Sequence, residues 1–204
     1  MAWAPIPFEL QPFGGGAERA ELELHAVRLS GQASLQRSTD GPILCINYEL
    51  VGDLGERPTA LLVPPTAEQP GRRDGLWQHT CLEAFVAACD GEPYWELNLA
   101  PSGDWAVYRF DGYRSHQQSP PLQAPPFSIR SSSDGLELHL RWPLPKELAA
   151  SGALSLGITA VLEQRNGAIS YWALHHPGPV ADFHRREGFT LQANGGCGTP
   201  PPTP

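Results

Sequence analysis

Lysine and methionine are almost missing from this 204-residue chain: Lys146 and Met1 are the single examples of each. Basic charge rests on arginine and histidine, in pairs such as Arg72-Arg73 and Arg185-Arg186, and the formal net charge is -8. A phosphate backbone needs a basic track, so no nucleic-acid partner is expected. The lack of an internal methionine removes the usual axial Met of a haem site. No apolar run approaches the length of a membrane span, so no membrane partner is expected either. The start, Met1-Ala2-Trp3-Ala4-Pro5-Ile6-Pro7, has neither a basic stretch nor the apolar stretch of a secretory signal. The cytoplasm is the expected location.

Metal and nucleotide signatures are missing as well. Cys45, Cys81, Cys89 and Cys197 lack CxxC spacing and have no histidine at zinc-site intervals, so they read as buried thiols. Seven histidines are present. His175 and His176 are adjacent, so in a strand they face opposite sides and cannot share one ion. A loop-built site from His175, Asp182 and His184 is weaker than ordinary hydrogen bonding, and neither metal nor cofactor is expected. Nor does any loop resemble the oxygen-rich calcium loop of an EF-hand. Gly14-Gly15-Gly16 is not placed between a strand and a helix, as a phosphate loop must be. Ser102, in Pro101-Ser102-Gly103, lacks the GxSxG elbow of a serine nucleophile.

What is present is a strand-forming sequence. The chain is 41% hydrophobic and 18% charged, enough apolar content for a packed core. Strand-like segments recur at 20–29, 43–51, 80–88, 94–100, 105–110, 127–132, 136–142, 154–163, 169–174 and 188–192. Asp134-Gly135 and Asn166-Gly167 carry hairpin signals, glycine supplying the positive φ of a tight turn. Helix is scarce: a turn or two at 146–150 after Pro145, and a short turn at 182–187. Many strands without intervening helices predict an all-β fold, an antiparallel β-sandwich with very little helix. The proline-rich stretches 64–70 and 119–126 are flanked by strands without a composition shift, so residues 5–193 form one domain. The Gly/Pro tail 194–204 is expected to be disordered.

The most informative block is central. It runs Leu76-Trp77-Gln78-His79-Thr80-Cys81-Leu82-Glu83-Ala84-Phe85, then Tyr94-Trp95-Glu96-Leu97-Asn98-Leu99-Ala100-Pro101-Ser102-Gly103-Asp104-Trp105. Strand alternation puts Trp95, Leu97 and Leu99 on one face and Glu96 and Asn98 on the other. The first set is core. The second places a carboxylate and an amide where packing alone does not need them. Glu83 likewise points away from Leu82 and Ala84.

These two pieces, with Asp182-Phe183-His184-Arg185-Arg186-Glu187-Gly188-Phe189, resemble the DOMON-like family related to family 9 carbohydrate-binding modules. The resemblance spans roughly residues 5–193. It implies a sandwich of immunoglobulin-like or jelly-roll type with a ligand site on one sheet. In the carbohydrate-binding relatives two tryptophans clamp a sugar ring, and other relatives bind haem.

The expected function is non-catalytic binding of a carbohydrate or similar polar small molecule. Trp77 stacks on the apolar face of the ring. Glu83, Glu96, Asn98 and Arg109 take its hydroxyls, and Trp172, His175 and His184 close the rim. Each tryptophan has a competing place in the core. Arg109, on the next strand, competes as a structural ion-pair partner of Glu96. Two alternatives stay open: a glycoside hydrolase with Glu83 and Glu96 as acid and base, and a protein-interaction module using the sheet face. A concave, Trp-lined pocket would favour a small-molecule site; a flat exposed face would favour the interaction module.

Overall fold

The structure, a computed structural model, describes residues 3–14, 26–121, 123, 125 and 127–193. It contains β1 (Trp3–Glu9), β2 (Gln11–Pro12), β3 (Arg28–Ser38), β4 (Gly41–Val51), β5 (Cys81–Ala88), β6 (Tyr94–Leu99) and β7 (Trp105–Phe110). These are followed by β8 (Phe127–Ser131), β9 (Gly135–Pro143), α1 (Lys146–Ala149), β10 (Leu154–Glu163), β11 (Ile169–Ala173) and β12 (Leu191–Ala193). Two sheets result. One has the order β1-β3-β4-β9-β8; the other has the order β2-β11-β10-β5-β6-β7, with β12 also paired to β10. All of these pairings are antiparallel. Among the described residues, helix is confined to α1 and to 3-10 turns, and no helix is long and apolar enough to cross a membrane.

Sequence alternation explains the packing. In β9, Leu136, Leu138, Leu140 and Trp142 are buried while Glu137 and Arg141 face outward. The facing sheet contributes Leu82, Ala84 and Val86 from β5, Trp95, Leu97 and Leu99 from β6, and Leu154, Leu156, Ile158, Ala160 and Leu162 from β10. The two apolar faces form one core, the usual solution for two sheets that each bury one side. Trp95 and Trp142 meet across it with ring centroids 5.8 Å apart.

The two hairpins form by different means. Gly167 has φ 85° between β10 and β11, and Asn166 Oδ1 accepts the Ala168 N–H at 2.9 Å. This is the tight turn the sequence predicts. Gly135 starts β9 without a positive φ; a Cβ there would lie 2.5 Å from the Leu50 carbonyl oxygen. Close backbone approach, rather than turn conformation, demands that glycine.

Other expectations change in detail. Of the strand expected at 20–29, residues 20–25 lie outside the described residues, while Arg28 and Leu29 begin β3, whose remainder carries no strand expectation. The expected tail, 194–204, also lies outside them. β1 and β2 carry no clear alternation and were not anticipated. Cys45 and Cys81 are buried free thiols, but Cys89 is disulfide-bonded, so reading every cysteine as a thiol fails there.

Candidate functional site

Ordinary half-exposed sheets alternate between buried and exposed residues. β5, β6 and β10 do not: their residues are buried on both faces almost throughout. One face meets the core. The other is roofed by chain that leaves the sheet, and that face carries the polar residues.

Register lays this outer face out in rows. One row reads Thr159, Glu83, Asn98, Ala106 across β10, β5, β6 and β7; the next reads Gly157, Phe85, Glu96, Tyr108. Glu83 and Glu96 are therefore diagonal neighbours on adjacent strands. Above them the segment between β11 and β12 folds back, bringing Phe183 and His184 over Phe85, with centroids 6.5 and 5.3 Å from its ring. On the other side, the loop after β7 brings in Arg114. The resulting cleft is about 330 Å³, within the usual small-molecule range of about 300–1,000 Å³. Its wall includes Trp77, Glu83, Glu96, Tyr108, Arg114 and His184.

Trp77 sits on a 3-10 turn, Leu76–Gln78, just ahead of β5. It is 40% exposed and meets Tyr108 edge-on at 6.0 Å. The Tyr108 hydroxyl donates to Asp74 Oδ1 at 2.6 Å, tying the turn to the sheet. Burial and the Asp74 carboxylate push the Tyr108 hydroxyl well above its usual range. Trp77 thus offers an open ring face held by a fixed neighbour.

The carboxyls are the chemically unusual feature. Glu83 is 1% exposed; its Oε2 accepts from the Thr159 hydroxyl at 3.3 Å, while Oε1 has no hydrogen-bond partner. Burial, and then the neighbouring Glu96 charge, raise its pKa well above the carboxylate range. Glu96 is 5% exposed and accepts from Asn98 Nδ2 at 2.7 Å. Burial pushes its pKa up to about 7, against the Asn98 hydrogen bond and the Arg114 charge, which lower it. At neutral pH the pair holds at least one proton, so the wall presents an O–H donor as well as carboxyl acceptors.

His184 completes the polar cluster. Burial, helped by the Arg114 charge, drops its pKa to about 4, so the ring is neutral. Its Nδ1 lies 2.7 Å from the Tyr94 hydroxyl, which accepts the Arg114 N–H at 3.2 Å. That hydroxyl keeps both its proton and a lone pair, so it pairs with Nδ1 in either tautomer of the neutral ring. Nε2 lies 3.8 Å from Glu96 Oε2, too far for a direct hydrogen bond.

Arg114 adopts φ 49°, a left-handed conformation that a non-glycine residue holds at a cost of about 1–2 kcal/mol. The surrounding contacts impose it: Tyr94 takes its N–H, and Asp182 Oδ1 takes Nη2 at 2.8 Å. Asp182 also accepts from the Tyr113 hydroxyl at 2.6 Å. Burial raises the Asp182 carboxyl, but the Tyr113 and Arg114 hydrogen bonds more than offset it and hold the group below its usual range.

Five of the eight expected site residues come together: Trp77, Glu83, Glu96 and His184 line the cavity, and Asn98 positions Glu96 from the same face. Three do not. Trp172 is 1% exposed within the core, with its indole N–H on the Ser170 hydroxyl at 3.0 Å; strand parity turns it inward. Arg109 pairs with Trp95 in register, not with Glu96, so it lies on the opposite face, bound to Asp111 and to Glu147 at 3.1 Å. The expected Glu96–Arg109 contact is absent because Glu96 faces Tyr108. His175 follows β11 as an exposed residue outside the cavity wall. The cation that does reach the site, Arg114, was missed, as were Tyr171 and Phe183. Among the described residues, no group of three or more His, Cys, Asp and Glu side chains could hold a metal ion.

No protein-family model matches the sequence, and no curated protein matches it. Solved structures do resemble it. A candidate carbohydrate-binding protein from Bacteroides uniformis superposes with TM-score 0.57 at 12% identity, covering 89% of this chain and 84% of its own. This likeness shows the shared sandwich fold. Two family 9 carbohydrate-binding module structures from Caldicellulosiruptor kristjanssonii, with cellotriose and with glucose, superpose more loosely. Their TM-scores are 0.37 and 0.35 at 13% identity; each alignment covers 71% of this chain, and 65% and 66% of theirs.

Proposed function

We propose that this protein binds a carbohydrate, or a polar ring-shaped molecule of similar size, in the cavity on the outer face of the seven-stranded sheet, and releases it unchanged. One observation carries the reading: an open indole face, Trp77, stands in the same cavity wall as a buried carboxyl whose Oε1 has no partner. A buried polar atom without a partner is costly unless something fills the place. A sugar hydroxyl meets that need while the apolar ring face covers the indole. The description of the Bacteroides protein agrees in kind. The concave wall also favours a small ligand over a flat protein interface.

A hydrolytic reading has one observation in its favour. The Glu96 pKa of about 7, beside Glu83, whose pKa burial also raises, suits proton transfer near neutral pH. Calorimetric titration against a panel of mono- and oligosaccharides, with aryl-glycoside hydrolysis assayed in parallel, tests both. Saturable binding without turnover is expected. Turnover with a bell-shaped pH profile, lost in Glu83→Gln or Glu96→Gln, would replace the binding reading with the hydrolytic one.

A further inference from the structure

The cavity supplies its two carboxyls with no dedicated counter-ion. Arg114 is its cation, and that guanidinium is already engaged by Asp182 at 2.8 Å. His184 is neutral, with Nε2 held 3.8 Å from Glu96. Arg109 lies on the opposite face. Among the described residues, no Lys, Arg or His nitrogen pairs with Glu83, whose neighbours across the strands are Thr159 and Asn98. Glu83 Oε1 is buried in the cavity wall without any partner. Six aromatic side chains line the cavity with these two carboxyls: Trp77, Phe85, Tyr108, Phe110, Tyr171 and Phe183.

Neutral hydroxyls satisfy hydrogen bonds, but they do not balance charge. A cation does both, because aromatic faces attract positive charge while a buried carboxylate pairs with it. Glu83 then releases its proton to solvent as the cation enters, so that one carboxylate balances one positive charge. Building on the proposed ligand site, we propose that its ligand carries a positively charged amino group, with Glu83 as the counter-ion, Glu96 beside it and the aromatic rings enclosing it. An amino sugar combines this group with the polar ring.

The test is calorimetry at about pH 6.5, where an aliphatic amine is largely protonated. Glucosamine, galactosamine and mannosamine are each compared with the parent hexose and the N-acetyl derivative; choline serves as an ammonium that is not a sugar. A free hexosamine should bind about tenfold or more tighter than its parent and its N-acetyl form, a difference of about 1.4 kcal/mol. Glu83→Gln should bring that ratio close to one. Equal binding of hexose and hexosamine overturns the cation inference and leaves the carbohydrate reading standing. Binding of choline without any sugar keeps the cation site and ends the carbohydrate reading. No binding by any hexosamine or by choline overturns the inference. The comparison in the unaltered protein decides even if the variant fails to fold, and an undiminished preference in a folded Glu83→Gln protein removes Glu83 from the role.

Discussion

The two faces of the seven-stranded sheet are made by the same strands and have opposite chemistry. Toward the facing sheet, Leu82, Ala84, Leu97, Leu99, Ile158 and Ala160 close into an apolar core. Toward the roof, the intervening positions carry Glu83, Asn98, Glu96 and Thr159 around a cavity. The residues of both faces are buried alike, so exposure alone does not account for the difference. An apolar residue at any of the four roofed positions would pack without penalty, whereas a buried carboxyl costs stability unless it is compensated. The roofed face gives up stability that the core face supplies.

Tryptophan substitutions probe that contrast most strongly. Trp172→Ala opens the core and should cost about 3–5 kcal/mol in denaturant melts, with the residual folded protein still binding ligand. A loss of ligand affinity without loss of stability would place Trp172 in the site after all.

Next come the buried acids. The Glu96 pKa is about 7 in the folded protein against an ordinary 4.5, so the folded state holds more protons across that range. Its contribution is therefore full below pH 4.5 and lost as pH rises through 7, on the order of 3 kcal/mol. Glu83, also raised by burial, adds a slope of the same sign. His184, lowered from 6.5 to about 4, works in the other direction: its contribution is present above pH 6.5 and lost as pH falls through 4. The opposed slopes overlap between pH 4.5 and 6.5. Glu96→Gln should be more stable than the parent at pH 8 and lose less stability than the parent as pH rises from 4.5 to 7. His184→Gln should show the steeper decline with rising pH. Stability curves measured at pH 4 to 9 separate the two, and identical curves for both variants would remove the acids from the account.

Trp77→Ala should weaken ligand binding by about tenfold or more while costing under about 1 kcal/mol of stability, as expected for an exposed side chain. A collapse in melting temperature would make Trp77 a core residue. The smallest effect is expected for Arg109→Ala. Its partners Asp111 and Glu147 form a part-exposed network on the other face, worth at most about 1 kcal/mol, so ligand affinity should not change.

Alternation within one strand made much of this legible. The split of Glu96 and Asn98 from Trp95, Leu97 and Leu99 follows from parity alone, as does Glu83 facing away from Leu82 and Ala84. Parity across strands needs the register, and that depends on a turn. Here Gly103, with φ 90°, sets Ala106 opposite Asn98 and Tyr108 opposite Glu96. Without that offset, Arg109 looked like the partner of Glu96. Trp172 carried the same ambiguity, since an isolated tryptophan beside histidines does not announce its face. Arg114 and Phe183 lie beyond such reasoning for another reason: they reach the cavity through chain that leaves the sheet and folds back over it. No local pattern records such a contact. Tyr171 sits on β11 opposite Val161, so its place again depends on register.

The roof itself begins and ends on one strand. β11 pairs with β10 at Thr159–Glu163, and β12 returns to pair with Leu154–Leu156 of that same strand. The intervening stretch is spliced in at two points whose spacing β10 fixes. Lengthening or rewriting it between those anchors leaves both sheets untouched, because surface segments tolerate insertion far better than the elements they join. The segment is closed as a loop on β10, so its reach over Glu83 and Glu96 is bounded by those two anchors.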